Sequence, residues 1–411
     1  MPRLNRRVFL RSIVIFFSLA VALGSIHRLQ RGQQTALYAS QAALAAKDGD
    51  LTEAIKGYKK ALLVGGERSN WLAELATLYE SSENIEQCYL VSQRLERLDP
   101  DKSENRRRLA ECALKLERYQ DAIDWIESME RSGSNLSAPL QVMKADACVG
   151  RRENDKAANL YRQAIASGID DPNVDVRLAT LLDRQLKETE SARRVLDEMV
   201  ERLSTTEAVL LRGKFYFEKA GGLRLDSVDQ STRMSTWING ATSDATIARR
   251  LSNDSAESLQ FAAAVLLFQG RDSEAIAVAK QGIETQPGAP SFYRLGSLAA
   301  ERAAAKAGNS DSKQRQLASE LRTQGDAFLD LGLQRLPDST ELLWQKATCL
   351  LDRNAAGSEA FSEVMESLSR NQFSPALVQF LQARRLAADS KIAQAIAQLK
   401  SVRVEVIQDA P

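Results

Sequence analysis

The sequence predicts an all-α protein in which antiparallel helix pairs stack into a right-handed superhelical solenoid, preceded by one N-terminal transmembrane or signal segment. The first observation is composition: apolar residues make up 44% of the chain, aromatic residues only 6%, and prolines number nine. A chain with these proportions, rich in Ala, Leu, Arg, Glu and Gln, favours helices over strands. The second observation is length, because 411 residues exceed what one core usually holds unless the fold grows by repetition.

A repeat of about 34 residues accounts for that growth. It is visible in "GDLTEAIKGYKKAL" at 49–62, "ERYQDAIDWIESME" at 117–130, "RENDKAANLYRQAI" at 152–165 and "GRDSEAIAVAKQGI" at 270–283. Each stretch has a turn residue, an acidic or polar pair and then a small residue. A small residue in each helix lets two helices approach closely, so each repeat is expected to be one helix hairpin. The first array, 35–205, holds about five repeats, at 35–68, 69–102, 103–136, 138–171 and about 172–205.

Certain positions recur with the period and define the repeat. They are the small and large apolar residues and the closing prolines: Ala54, Tyr58, Leu75, Ala76, Tyr79, Pro100, Ala122, Ala157, Tyr161, Ala275, Pro287 and Pro337. This pattern resembles that of the tetratricopeptide repeat family. The resemblance implies stacked helix pairs with a concave groove that binds proteins or peptides. It covers roughly residues 35–205 and 256–402.

Two regions depart from the period. In 206–255, a good first helix is stopped by Gly221-Gly222, and the polar sequence that follows predicts an atypical repeat with an insertion. In the second array, 256–411, residues 289–337 predict one enlarged repeat. Both regions are interpreted as insertions on the outer rim. Alternatively, Trp237 and its neighbours in 206–255 dock into the groove or onto a partner.

The sequence contains few of the residues and motifs from which enzyme active sites are usually built. The single histidine, His27, lies beside the N-terminal apolar run, and no P-loop, GxSxG or GxGxxG motif occurs. The four cysteines have no metal-ligand spacing, and 55 basic residues nearly balance 54 acidic ones. We therefore expect no enzymatic activity, no cofactor, no metal and no nucleic-acid partner.

The cysteines are expected to be small apolar fillers of the buried helix faces. Cys88 and Cys112 fall on helices expected to be neighbours, so a bridge between them in an oxidising space stays open. The basic triplet Arg106-Arg107-Arg108 has glutamates at helical spacings around it, which favours pairing along one helix over nucleic-acid binding.

The groove is predicted on the first helix of each pair. In 69–102 the inward positions are Asn70, Ala73, Thr77 and Glu80; in 103–136 they are Glu104, Arg107, Glu111 and Lys115; in 138–171 they are Val142, Asp146 and Val149. Chaperone-binding members of the family carry a Lys and Asn clamp for a terminal carboxylate. Ala39 and Ala43 occupy the matching positions here, so that ligand is not implied.

The N-terminus, "NRRVFLRSIVIFFSLAVALGSIHRLQR" at 5–31, joins a basic region, 1–11, to an apolar segment, 12–31. Four arginines precede the apolar run and two follow closely, which favours a single-pass anchor with the N-terminus inside and the repeats on the periplasmic side of a bacterial cytoplasmic membrane. "NRRVFLR" also resembles a twin-arginine export signal. Cleavage near Ala22 would release a soluble periplasmic protein, and this alternative stays open.

These features predict a membrane-tethered scaffold for protein–protein or protein–peptide interaction in the cell envelope, similar in architecture to bacterial membrane-anchored tetratricopeptide proteins. One alternative is the anchor and spacer of a longer envelope enzyme or assembly complex. Another is a chaperone-like periplasmic protein released by signal cleavage.

Overall fold

The computed structural model describes residues 16, 30–100, 102–131, 136–222, 228–308, 310–353, 357–371 and 373–400. Over these residues all regular structure is helical, in twenty helices that we number α1 to α20. The all-α expectation is therefore confirmed for the described part of the chain. The chain divides into two compact units, Met1–Val195 and Leu196–Pro411, which we call the first and second units.

The helices of the first unit follow one another as short antiparallel pairs. They are α1 (30–47), α2 (Leu51–Gly65), α3 (Ser69–Ser81), α4 (Ile85–Leu98), α5 (Ser103–Lys115), α6 (Tyr119–Arg131), α7 (Ala138–Gly150), α8 (Asn154–Ala166) and α9 (Pro172–Arg184). The boundary between the units falls inside α10 (Thr189–Leu203).

The second unit contains both ordinary and enlarged pairs. Its helices are α11 (Thr206–Gly221), α12 (Val228–Leu251), α13 (Ala256–Phe268), α14 (Asp272–Thr285), α15 (Pro290–Ala307), α16 (Ser312–Arg335), α17 (Thr340–Asp352), α18 (Glu359–Arg370), α19 (Pro375–Ala388) and α20 (Ile392–Leu399).

A left-handed residue closes the turn inside successive hairpins of the first unit. Gly49, Glu83, Glu117 and Arg152 have φ angles of 80°, 56°, 57° and 62°. They are spaced by 34, 34 and 35 residues, the period seen in the sequence. A residue of this kind ends a helix by letting its backbone N–H reach back to the last carbonyls, which explains why the first helix of each pair stops at the same point.

The repeat-defining side chains form the core. Ala54, Ala76, Ala122, Ala157 and Ala275 are fully buried, and so, nearly, are Tyr58, Leu75, Tyr79 and Tyr161. Pro100, Pro287 and Pro337 lie exposed in the turns between pairs. Small residues at helix crossings with large residues beside them are what allows close helix packing. The resemblance to tetratricopeptide repeats is confirmed by these repeated helix pairs, while the handedness of the array stays a prediction.

Residues 228–251 of the polar region form a helix, α12, which packs along α11, and glycines allow the close approach. A Cβ atom on Gly240 would lie 2.7 Å from the Tyr216 ring of α11, and one on Gly213 would lie 2.9 Å from the Cβ atom of Asp244 on α12. Trp237 packs on Tyr216 with ring centroids 5.4 Å apart. Docking of Trp237 onto a partner stays a prediction.

The long helix α15 contacts the preceding hairpin through its last turns. Arg302 donates to the carbonyl of Leu267 at 2.7 Å, and Lys306 donates to the carbonyl of Gly270 at the same distance. Lys306 also pairs with the buried carboxylate of Asp272 at 2.6 Å. The added length therefore contacts the C-terminal end of α13 and the turn after it, where Leu267 and Gly270 accept these additional bonds.

The N-terminal segment expected to enter the membrane lies outside the described residues, apart from Phe16. Among the residues that the structure describes, no helix combines the length and the apolar character needed to cross a bilayer.

Candidate partner-binding site in the first unit

Two predicted groove residues of α3, Thr77 and Glu80, accept hydrogen bonds from the next first helix, α5, through an arginine outside the predicted set. Arg108 on α5 donates from Nε to Glu80 Oε2 at 2.9 Å and from Nη2 to Thr77 Oγ1 at 3.1 Å, both on α3. Arg107 pairs with Glu111 on its own helix at 2.8 Å. Asn70, Glu104 and Lys115 lie exposed on α3 and α5 and take no part in these bonds.

The arginine triplet pairs differently from the sequence expectation. Only Arg107 uses a glutamate four residues away on the same helix. Arg106 instead pairs with Glu96 of α4 at 2.7 Å, and both side chains are largely buried. Since Arg108 reaches Glu80 on α3, two of the three arginines pair with carboxylates of neighbouring helices.

Asp146, the predicted groove residue of the fourth repeat, lies where α7, α8 and α9 meet. α7 begins after Ser137 with proline at its second position, which suits a first helical turn. α9 begins with Pro172, and the side chain of its N-cap, Asp171, accepts from the backbone N–H of Asn173 at 2.9 Å. These start signals fix the register of α7 and α9 and therefore the direction of their groove-facing side chains.

Two groups from different helices hold the Asp146 carboxylate. The hydroxyl of Tyr161 on α8 donates to Oδ1, and Arg177 on α9 pairs with Oδ2 through Nη1 at 2.6 Å. Burial raises the pKa of Tyr161 well above its usual range, and the negative charge of Asp146 raises this pKa further. The phenol therefore stays protonated at neutral pH and remains a donor to Asp146.

A cavity of about 430 Å³ opens beside this carboxylate, and we call it the Asp146 cavity. Its lining is Asp146, Val149, Tyr161, Val176, Arg177, Thr180, Leu181, Arg184 and Gln185. Val149, Val176 and Leu181 supply apolar surface, and Val149 is 37% exposed. The lining carries two guanidinium groups and one carboxylate, so its formal charge is positive. An apolar recess beside two arginines suits a side chain with an acidic neighbour.

Among the residues that the structure describes, no group of three His, Cys, Asp or Glu side chains is arranged to hold a metal ion. Cys148 is near Tyr161 but is buried, and burial raises the pKa of its thiol, which keeps it protonated.

Sequence reasoning found part of this site. Asp146 and Val149 were predicted as inward residues, but the rule was not carried into the fifth repeat. At the offsets that Val142, Asp146 and Val149 have in their repeat, 172–205 has Val176, Thr180 and Asp183, and the first two of these line the cavity. Arg177 and Arg184 each lie one position away from that pattern, and only the structure identifies them as lining residues.

Solved structures share this helix arrangement at low similarity. MamA from Desulfovibrio magneticus RS-1, from residue 41 to its end, is 15% identical with a TM-score of 0.37, over 42% of this chain and 95% of that one. A tetratricopeptide repeat protein from Parabacteroides merdae ATCC 43184 is 11% identical with a TM-score of 0.43, over 65% of this chain and 99% of that one. No family model matches the chain, and no curated protein matches it in sequence.

Proposed function

We propose that this protein is a non-enzymatic scaffold of the tetratricopeptide type that binds a protein or peptide segment at the Asp146 cavity. The observation that carries the proposal is the cavity itself, an apolar recess of about 430 Å³ on the predicted groove face. Repeat arrays use such faces because stacked hairpins leave their first helices accessible in a row.

The lining indicates the chemistry of the bound segment. An apolar side chain fits against Val149, Val176 and Leu181, and burying it contributes about 1.5–3 kcal/mol. An acidic group next to it fits between Arg177 and Arg184, where guanidinium groups bind carboxylates in a forked geometry. Since Arg177 already pairs with Asp146, it is held in place before the ligand arrives.

We further propose that the apolar N-terminal segment tethers this scaffold to a bacterial cytoplasmic membrane, with the repeats on the periplasmic side. The proposal is supported by the arginine asymmetry around the apolar run and by the absence of acidic residues before Asp48. A tether suits a binding protein, because confinement to one surface raises the effective concentration of partners that are confined there too.

A displayed library of random peptides, selected on the full-length protein in detergent, tests the binding site. We expect enriched peptides to combine an apolar residue with nearby Asp or Glu. Thr180→Trp should abolish their binding by filling the cavity, whereas Gln163→Trp, on an exposed position of α8 outside the lining, should leave it intact. Enrichment that survives Thr180→Trp would place the binding site elsewhere.

Charge reversal tests the acidic part of the ligand. Arg184→Glu should weaken binding of the enriched peptides at least tenfold, and Arg162→Glu, an exposed arginine outside the lining, is the matched control. Equal weakening by both variants would mean that the protein's general charge, rather than this site, attracts the peptides.

Membrane extraction and mass spectrometry test the tether. The protein should stay in the membrane pellet after alkaline carbonate washing, with its N-terminal peptide intact and its repeats digested by protease added to spheroplasts. Recovery of chains that begin near Ala22 would instead support signal cleavage.

A further inference from the structure

Two of the four cysteines lie on packed neighbouring helices of the first unit, Cys88 on α4 and Cys112 on α5. Both side chains are buried, with exposed fractions of 0% and 3%, and Cys88 donates to the carbonyl of Ala76 at 3.5 Å. The interaction between the two thiols lowers the pKa of Cys88 and raises that of Cys112. Cys148 on α7 and Cys349 on α17 are also buried, and burial is the main cause that raises the pKa of each of these thiols.

Comparison among the repeats shows that a cysteine is not needed for packing at this place. The position of Cys88 is occupied by Ala54, Ala122, Ala157 and Ala275 in other repeats, and each of these alanines is fully buried. The helix crossing is therefore satisfied by a methyl group. The sequence replaces that alanine by cysteine in the one repeat where the facing residue is also cysteine, so packing alone does not explain the pair.

We propose that Cys88 and Cys112 form a disulfide when the chain folds in oxidising surroundings, which ties the second repeat covalently to the third. The occurrence of this bond in the cell rests on the proposed periplasmic location, because disulfides persist in that compartment and not in the cytoplasm. The oxidant is a disulfide, either of a thiol–disulfide oxidoreductase or of a small molecule. It reaches the thiols before α4 and α5 close over them.

The exchange proceeds in two balanced steps. One cysteine loses its proton, and its thiolate attacks a sulfur of the oxidant's disulfide, forming a mixed disulfide and releasing one thiol of the oxidant. The second cysteine then loses its proton and attacks the first cysteine's sulfur, and the oxidant leaves as its second thiol. Two hydrogens pass to the oxidant, which is reduced, and the pair is oxidised.

The bridge would act on the predicted groove as well as on stability. Ala76, which accepts from Cys88, lies on α3 between Thr77 and Leu75, and Arg108 on α5 reaches back to Glu80 and Thr77. A bond from α4 to α5 therefore limits how far α5 can move from α3. The spacing of the groove residues on these two first helices becomes fixed by a covalent link.

Refolding of the full-length protein in detergent tests the pairing directly. The chain is unfolded in guanidinium with a reductant, refolded in a mixture of oxidised and reduced glutathione, blocked with iodoacetamide and mapped by peptide mass spectrometry. We expect one linkage, Cys88 to Cys112, with Cys148 and Cys349 blocked and the mass of two hydrogens lost. The midpoint of thermal unfolding should rise by about 5–10 °C and return on reduction.

Matched variants test whether the linkage and the thermal shift depend on Cys88 and not on the other cysteines. Cys88→Ala, which restores the alanine of the other repeats, should fold and lose both the linkage and the thermal shift, whereas Cys148→Ala should keep both. Random pairing of the four cysteines, stable glutathione adducts on Cys88 or Cys112, or a lower unfolding midpoint after oxidation would overturn the proposal.

The same mapping on the membrane fraction, with thiols trapped by acid and alkylation at lysis, tests the location. The Cys88–Cys112 linkage in cells supports both proposals. Free thiols in cells, together with the linkage after refolding, would reject the periplasmic location and the bond's presence in the cell, and would leave the pair's chemistry established.

Discussion

The same three residue types, aspartate, arginine and tyrosine, are brought together at one open site in the first unit and at one closed site in the second. In the first unit, Asp146 binds Tyr161 and Arg177 beside an open cavity. In the second unit, Arg212 joins Asp244 at 2.6 Å and Asp197 at 2.9 Å, and Tyr216 donates to Asp197; we call this set the Asp244 cluster.

The Asp244 cluster is closed to solvent, whereas the Asp146 site opens onto a cavity. Asp244 is 1% exposed, and a Cβ atom placed on Gly213 would lie 2.9 Å from its Cβ atom. Burial raises the pKa of Asp244, an effect that the Arg212 guanidinium opposes by stabilising the charged form. The comparison teaches that these residues mark a binding site only where the packing leaves room for a ligand; in a closed core the same groups hold two helices together.

The largest loss of stability is expected when the Asp244 cluster is broken. Asp244→Ala leaves two guanidinium nitrogens of Arg212 without their carboxylate, and removal of one partner from a buried pair costs about 3–5 kcal/mol. Urea unfolding followed by tryptophan fluorescence measures this change. Asp197→Ala, which removes the more exposed carboxylate, should cost clearly less, and an equal cost would mean that burial does not distinguish the two.

Overpacking the helix crossing at the closed cluster should have the next largest effect. A Cβ atom on Gly213 would lie 2.7 Å from Phe261 and 2.9 Å from the Cβ atom of Asp244, so Gly213→Ala should destabilise the second unit by about 1–3 kcal/mol despite its better helix propensity. Gly221→Ala on the same helix meets only Phe268, at 4.0 Å, and is the control. Urea midpoints that fall equally in both variants would contradict the packing explanation.

The open site should show its own dependence on alkaline pH. The folded state holds the pKa of Tyr161 above the ordinary value of 10.0, so the contribution of this phenol to stability is complete below pH 10. Above that pH the unfolded chain ionises first, and the contribution falls by about 1.4 kcal/mol per pH unit. Tyr58, Tyr89 and Tyr216 add to the same alkaline slope, since burial raises the pKa of each of them too. Tyr161→Phe should therefore reduce the slope of urea unfolding between pH 9 and 11 by the share of this phenol, and a slope that is unchanged would show that Asp146 does not hold a protonated phenol.

Filling the Asp146 cavity is expected to have the smallest effect on stability and the largest effect on binding. Thr180 lines an open cavity, so Thr180→Trp should change the free energy of unfolding by less than about 0.5 kcal/mol while abolishing peptide binding. Urea unfolding and fluorescence anisotropy on the same sample check the two parts. A large loss of stability would mean that the cavity is part of the core.

The sequence predicts the hairpins well because their determinants are local. A small residue, a turn residue and a closing proline recur together, and Ala54, Ala122 and Ala157 are buried as the pattern requires. The polar sequence of α12 has no apolar period from which its packing could be predicted; its place against α11 depends on Gly240 meeting the Tyr216 ring and on Gly213 meeting Asp244.

The site was predictable only in part. Position in the repeat identifies Asp146 and, if extended, Val176 and Thr180 as inward residues, whereas Arg177 and Arg184 are identified only by the structure. Whether an inward residue binds a neighbour or borders a cavity depends on side chains from adjacent helices. Arg108 illustrates this, because its partners Glu80 and Thr77 lie about thirty residues away in the chain.

The most direct test of the central claim is photo-cross-linking in cells with benzoylphenylalanine in place of Thr180, compared with the same replacement at Gln163. The account predicts that position 180 cross-links to a partner segment containing an apolar residue and a nearby acidic one. It also predicts that Arg184→Glu abolishes this product and that position 163 gives none. Equal cross-linking at both positions, or a product that persists in Arg184→Glu, would contradict a partner site at the Asp146 cavity.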